Sequence, residues 1–274
     1  MKKVILAFEG THFSDGAFEF ANTLNRKEKI LLTGIFLPQV ILSNLWSYAD
    51  STAGPLMVPL MEDENAEVIQ NNVKKFQQLC TQNNIDYCVH KDFFDFALPA
   101  LKKETRFADL LILGSESFYK NIGSGQPNEY LKEAIHGAEC PVILVPEKYA
   151  FPAANILAYD GSESSVFAIK QFAYLLPEFA QNPTLLVSVS GDKDQPIQDK
   201  SNIEELALRH FPDFSTTNLD IDSKEYFASW ISEKKNSILV SGSFGRSSFA
   251  IMFRKSFSAD VIAAHQVPVF ITHK

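Results

Sequence analysis

Short apolar runs alternate with amphipathic stretches along the 274-residue chain. In the first half, runs rich in Val, Ile and Leu are typical of buried strands, and the stretches between them, with apolar residues three and four positions apart, are typical of helices. The predicted strands are 4–8, 30–37, 87–90, 110–113 and 142–145, and the predicted helices are 14–25, 65–82, 97–106 and 128–137. This alternation predicts βαβ units and therefore an α/β fold with a mostly parallel sheet.

The pattern begins again in the second half of the chain. The segment 155–161 repeats 4–10 at an offset of 151 residues, and three further matches follow in the same order. They pair 184–186 with 30–32, 239–243 with 111–115 and 268–272 with 141–145, at offsets of 154, 128 and 127. The offset falls because the first copy carries extra residues around 43–64, a stretch with Gly and Pro that predicts an irregular loop.

We therefore predict two tandem copies of a five-stranded, flavodoxin-like doubly wound α/β unit. The predicted domains are 1–148 and 153–274, with 146–152 as the linker. The last strand of each copy is an apolar edge that would invite aggregation if it stayed unpaired. We expect these two edges, 141–145 and 268–272, to pair, so that the copies pack as a pseudo-twofold dimer within one chain.

Composition and charge narrow the class of protein. Hydrophobic residues make up 46% and charged residues 21% of the chain, which excludes a disordered protein and a disulfide-dense miniprotein. The 25 Lys and Arg residues face 33 Asp and Glu residues, for a net charge of −8. Proteins that bind nucleic acid or anionic membranes without specificity need the opposite balance, so we predict neither as a partner.

The sequence carries no signal for export or for a metal site. No apolar run reaches the roughly 18 residues of a membrane span or the roughly 7–15 residues of a signal-peptide core. The three Cys residues form no CxxC pair, and the six His residues show no paired spacing of metal ligands. We predict a cytoplasmic protein without a protein-held metal.

The residues that follow strands one and four of the second copy are candidates for ligand binding. In a doubly wound sheet, ligands bind at the carboxyl ends of the strands, where the strand order reverses. Gly242 and Gly245 would let backbone N–H groups approach a phosphate, and Arg246, Arg254 and Lys255 add positive charge to an acidic half. A tight turn beside a solvated basic helix face explains the same residues, so both interpretations are open at this point.

These residues resemble a motif of the universal stress protein family. Members that bind ATP carry Gly-x-x-Gly-x9-Gly-Ser/Thr, then a helix and a Pro-Val-hydrophobic last strand, matched here by Gly242, Gly245, Ser256 and 268–271. They also carry Asp after the first strand, matched by Asp160. The resemblance covers nearly the whole chain as two tandem domains. It implies an adenine-nucleotide-binding α/β fold that dimerises through its last strands and has no well-established catalytic reaction.

The resemblance also implies roles for single residues. Asp160 would bind near the ribose or adenine, Val189 would line the adenine pocket, and the loop 242–257 would hold the ribose and phosphates. Lys255 replaces the third Gly of the motif, so it could either bring positive charge to the phosphates or keep the loop closed. Arg246 has no position in the motif and is included for its charge alone. The predicted nucleotide-binding residues are Asp160, Gly161, Val189, Gly242, Ser243, Gly245, Arg246, Lys255, Ser256 and Phe257. The predicted ligand is ATP or a related adenine nucleotide, and Mg²⁺ could accompany it.

The first copy departs further from this motif. Glu9 stands at the position of Asp160, Ser117 replaces the second Gly, and the segment 123–129 has no Gly-Ser at the expected place. We predict that the first copy has lost phosphate binding and that the second copy alone holds the nucleotide. The predicted function is a stress-responsive regulatory protein rather than an enzyme. A partner-docking protein without nucleotide and a slow ATPase are the alternatives, and the whole chain could form a further homodimer.

Overall fold

The computed structural model describes residues 1–9, 12–37, 58–90, 97–116, 129–190, 196–220, 224–242 and 266–272. The strands in these ranges are β1 (Lys2–Glu9), β2 (Ile30–Leu37), β3 (Asp86–His90), β4 (Leu110–Gly114), β5 (Val142–Val145), β6 (Ala154–Tyr159), β7 (Thr184–Ser190), β8 (Phe214–Asp220), β9 (Ser237–Gly242) and β10 (Val269–Thr272). The helices are α1 (Asp15–Lys27), α2 (Val58–Gln82), α3 (Ala97–Thr105), α4 (Glu129–Gly137), α5 (Glu163–Leu175), α6 (Pro177–Ala180), α7 (Lys200–His210) and α8 (Lys224–Ser232).

The described strands form one sheet in the order β3-β2-β1-β4-β5-β10-β9-β6-β7-β8. Neighbouring strands are parallel within each half, and β5 and β10 are antiparallel where the halves meet. The tandem, doubly wound α/β fold is therefore confirmed. Each half has the order 3-2-1-4-5, which is that of the first five strands of a Rossmann sheet, rather than the 2-1-3-4-5 of flavodoxin, so the strand order reverses between strands one and four.

The two halves are joined by a symmetric strand pair. Ile143 lies opposite Phe270, while Leu144 faces Val269 and Val142 faces Ile271. Ile143 and Phe270 are counterparts in the repeat, so a pseudo-twofold axis passes between them. The predicted pairing of the two last strands is confirmed, and it removes two apolar edges from solvent.

The strand register corrects one part of the predicted repeat. Val4 lies beside Leu32 in the first half, and its counterpart Asn155 lies beside Thr184 in the second. Thr184 is therefore the counterpart of Leu32 rather than of Ile30, and the offset is 152 instead of 154. A slide of two residues keeps every side chain on the same face of the sheet, so the apolar pattern could not detect it.

The helices begin close to their predicted positions, with one exception. Ser14 caps α1, because its hydroxyl accepts the Ala17 N–H at 3.2 Å. The helix predicted over 65–82 begins at Val58, so the last part of the stretch expected to be irregular is helical. The extra residues of the first copy still fall between β2 and β3, where residues 38–57 lie outside the described part of the chain.

Helices cover both faces of the sheet and bury two apolar clusters. One cluster packs beneath α1, α2, α5, α6 and α7 and includes residues of both copies. The other packs beneath α3, α4 and α8. The linker takes part in the first cluster, since the Phe151 ring lies 5.4 Å from Phe20 of α1 and 5.6 Å from Phe179 of α6. Aromatic contacts through the linker thus tie the two copies together.

Candidate functional site

The second copy brings a short turn and a helix start to the carboxyl end of β6. The Ser162 N–H donates to Asp160 Oδ1 at 3.0 Å, and the Ser162 hydroxyl accepts the Ser165 N–H at 3.2 Å, which caps α5. Gly161 between them has a φ of +77°, a conformation that favours glycine. The Asp160 carboxylate is exposed, and its Oδ2 has no hydrogen-bond partner in the described part of the chain.

The end of β9 lies directly against this helix start. A Cβ on Gly242 would be 2.4 Å from the carbonyl carbon and oxygen of Ser164 and 2.7 Å from the Ser165 nitrogen. Only glycine allows so close an approach without movement of the backbone. Asp160, Gly161 and Gly242, which sequence reasoning singled out separately, therefore meet at the point where the strand order reverses.

Gln198 closes this site from the side of β7, and sequence reasoning missed it. A Cβ on Gly161 would lie 2.5 Å from Gln198 Cδ, and the Tyr159 hydroxyl donates to the Gln198 carbonyl oxygen at 3.0 Å. Burial raises the pKa of Tyr159, and the carboxylates of Asp199 and Asp160 raise it further. Gln198 follows a polar segment with no motif, so no sequence signal could have found it.

The other predicted site residues cannot be placed in the same way. Val189 lies in β7, where its backbone pairs with Leu219, but its side chain is not described. The rest of the predicted loop lies outside the described residues, namely Ser243, Gly245, Arg246, Lys255, Ser256 and Phe257. Their part in nucleotide binding stays a prediction.

The corresponding helix start in the first copy is occupied by a carboxylate of the linker. Glu147 Oε2 accepts the Gly16 N–H of α1 at 3.0 Å, and Glu147 Oε1 accepts from His12 Nε2 at 3.2 Å. The Glu147 N–H donates in turn to Glu116 Oε2 at 2.5 Å. Burial raises the pKa of the Glu116 carboxyl. A Cβ on Gly16 would be 2.3 Å from the Pro146 carbonyl oxygen, so glycine is what lets the linker approach.

An aromatic ring belongs to the connection that leads to this helix start. Phe13 stacks on Phe8 with ring centroids 4.5 Å apart and an angle of 19° between the planes. Lys75 Nζ lies 4.2 Å from the Phe13 centroid and 2.6 Å from Asp15 Oδ1. The connection from Glu9 to the capping Ser14 is three residues longer than that from Asp160 to Ser162, and Phe13 belongs to this longer connection.

Comparisons with known proteins agree with this architecture. No family model matches the sequence, and no curated protein matches it either. The crystal structure of a universal stress protein from Archaeoglobus fulgidus DSM 4304 superposes with a TM-score of 0.70 at 16% identity, covering 100% of this chain and 96% of that chain. The chain has the fold of a universal stress protein. The resemblance stated from the motifs is confirmed for the fold, and the two copies fit its tandem form.

A second structure is much less similar. MurG of Acinetobacter baumannii gives a TM-score of 0.22 at 10% identity, over 99% of this chain and 85% of that chain. A similarity of this size carries no argument. Within the described residues, no helix is both long and apolar enough to span a bilayer. No group of three or more His, Cys, Asp or Glu side chains in the same part of the chain is arranged to hold a metal ion.

Proposed function

We infer that the chain is a cytoplasmic, stress-responsive regulatory protein that binds ATP or a related adenine nucleotide in its second copy. The observation that supports this most is the meeting of the Asp160 turn, Gly242 and the start of α5 at the reversal of strand order. Ligands of doubly wound sheets bind at this point. The likeness of the fold to a universal stress protein also supports the proposal, because ATP-binding members of that family carry the motif that Asp160 and Gly242 match.

The charges of this site favour one orientation of the bound nucleotide. The exposed Asp160 carboxylate would repel phosphates, so it is suited to accept hydrogen bonds from ribose hydroxyl groups. The first-turn N–H groups of α5 and the positive end of its dipole favour the phosphates instead. The basic residues Arg246 and Lys255 would add charge on that side, and Mg²⁺ would accompany a triphosphate.

The first copy offers a phosphate a much poorer environment. The Glu147 carboxylate already accepts the Gly16 N–H at the start of α1, and Glu116 lies next to it. A phosphate there would meet two carboxylates rather than free donors. We therefore propose one nucleotide per chain, held by the second copy.

Calorimetric titration of ATP with Mg²⁺ tests this proposal. Wild type should bind one ATP, Gly245→Glu should abolish binding because a carboxylate enters the phosphate loop, and the matched change Ser117→Glu in the first copy should leave binding unchanged. A stoichiometry of two, or loss of binding only in Ser117→Glu, would refute the assignment. A folded wild type that binds no ATP would favour the partner-docking alternative, and release of phosphate during the titration would favour the slow ATPase.

A further inference from the structure

A carboxylate of the chain itself takes the place of an anion at the start of α1. Glu147 accepts the Gly16 N–H at 3.0 Å and a hydrogen bond from His12 at 3.2 Å, and its side chain is only 24% exposed. Gly16 is the second residue of a helix of 13 residues, so its N–H is one of the four that the helix leaves without a partner. The linker therefore supplies the negative charge that this helix end favours.

The connection from β1 to α1 also buries an aromatic ring. Phe13 is 8% exposed and stacks on Phe8, whose counterpart in the second copy is Tyr159. The Tyr159 hydroxyl instead reaches across to the chain after β7. In the first copy, the connection from β1 to α1 thus supplies a ring that stacks on the end of β1, and its neighbour His12 contacts the Glu147 carboxylate.

The second copy has the opposite chemistry at the matching position. Counted by the offset of the last strands, the counterpart of Glu147 is Lys274, and no residue of the shorter Asp160–Ser162 connection corresponds to Phe13. The start of α5 packs against the backbone of Gly242. The difference lies in the chain segments around the site, while the sheet below is the same.

We propose that Glu147 is an internal anionic ligand of the first copy, which keeps the start of α1 closed to external anions and fixes the linker there. Glu147 directly follows β5 and Pro146, so its contact also holds the chain that leads to β6. The start of α1 is thus occupied by a carboxylate of the chain itself. The proposal does not depend on nucleotide binding by the second copy.

Chemical rescue by an anion tests this proposal without any nucleotide. Glu147→Ala should lower Tm by about 3–8 °C, because a charge-assisted contact and the linker attachment are lost. Inorganic phosphate at tens of millimolar should then raise the Tm of Glu147→Ala at least twice as much as that of wild type. Potassium chloride at the same ionic strength should not. Phosphate stabilises folded proteins in general, so the difference between variant and wild type is the quantity that matters.

Glu139→Ala is the matched control. Glu139 also belongs to the first copy, but its carboxylate accepts from Arg106 rather than from the start of a helix. Phosphate should raise the Tm of Glu139→Ala no more than that of wild type. Equal phosphate shifts in Glu147→Ala and Glu139→Ala would overturn the proposal.

A second variant keeps the test decisive if Glu147→Ala does not fold. Glu147→Gln keeps the size and a hydrogen-bond acceptor but removes the charge. If Glu147→Ala folds, the Tm of Glu147→Gln should lie between those of wild type and the alanine variant. If Glu147→Ala does not fold, the Tm of Glu147→Gln should lie at least about 2 °C below that of wild type. A Tm equal to that of wild type would show that the charge is immaterial and would overturn the proposal.

Discussion

The starts of α1 and α5 occupy equivalent places in the two copies and have different surroundings. At α1 the linker carboxylate of Glu147 and the ring of Phe13 fill the space, whereas α5 meets the exposed Asp160 turn and the bare backbone of Gly242. The strands beneath are arranged in the same order in both halves. The same strand order thus carries different groups at the two helix starts, because the connecting segments and the linker decide what lies there.

In the cores of the two copies, one pair of facing residues divides its side-chain volume differently. Gly34 in β2 faces Phe76, and a Cβ on Gly34 would lie 2.9 Å from that ring. Register places Leu186 at the position of Gly34, and Ile203 of α7, which by the same register is as far in sequence from β8 as Phe76 is from β3, is the counterpart of Phe76. The first copy thus has a glycine and a phenylalanine where the second has a leucine and an isoleucine. The total side-chain volume changes less than either residue does, which is compatible with dense packing in both halves.

The largest effects are expected at the pair on the pseudo-twofold axis. Phe270→Ala should destabilise the chain by about 3–5 kcal/mol, and Ile143→Ala by about 2–5 kcal/mol. We expect the larger cost at Phe270, because its ring also lies 5.3 Å from the Phe172 ring of the second copy. Urea denaturation measures both, with Phe107→Ala at an exposed site as the control. A cost below about 1 kcal/mol for both variants would contradict a shared core at this pair.

Two glycines allow the two helix starts to be compared directly. Gly16→Ala and Gly242→Ala should each cost about 1–3 kcal/mol, because the new Cβ would meet backbone atoms at 2.3 Å and 2.4 Å. Gly137→Ala at the end of α4 is the control, since the nearest atoms lie 3.9 Å away, and it should be neutral or slightly stabilising. Thermal unfolding of the three variants separates these outcomes. An unchanged free energy of unfolding in Gly16→Ala would mean that the Pro146 carbonyl oxygen does not contact α1 as closely as the structure shows.

The half-buried Glu116 predicts a pH dependence that arises in the first copy. Its pKa is raised by burial, so its charge costs stability above the folded-state pKa, and this cost fades as the pH falls towards the unfolded-state pKa. Glu116→Gln should therefore be more stable than wild type at pH 7, by less than about 1 kcal/mol, and the difference should shrink on acidification.

Glu139 supplies a control of opposite sign. Arg106 lowers its pKa, so Glu139→Gln should be less stable than wild type at pH 7, and the two should converge as the pH falls. Tm values measured between pH 7 and pH 4 test both directions. The same sign for both variants would contradict the assigned causes.

The smallest effect concerns the thiols, which all belong to the first copy. Cys88 is exposed, while Cys80 and Cys140 are buried, and burial raises the pKa of both buried thiols to about 12. A thiol reagent at pH 8 should modify Cys88 quickly and the other two only when the first copy opens. Rapid reaction of more than one thiol in wild type would show that the first copy is not closed.

The sheet could be predicted from the sequence because its signals are local. Apolar runs marked the strands, their repetition marked the two copies, and the apolar edges indicated that the two last strands, β5 and β10, pair. The slide of two residues at Thr184 escaped prediction because it leaves every residue on the same face.

The surroundings of the two sites could not be predicted to the same extent. Asp160 and Gly242 were found because turn residues at strand ends have a known meaning in doubly wound sheets. Glu147 and Gln198 were missed, since each is polar, lies in a connecting segment, and reaches its contact across a large sequence separation, 131 residues in the case of Gly16 and Glu147. Such contacts depend on how the finished fold brings loops together.

The pair at the pseudo-twofold axis has one further consequence. In a dimer of two identical chains, any residue on the axis must meet its own copy, so its size can change only on both sides at once. Here Ile143 meets Phe270, an unequal pair that identical chains cannot form. Joining both halves in one chain thus releases the interface from self-complementarity. Each half is then free to change alone, and the different surroundings of α1 and α5 are an example of such change.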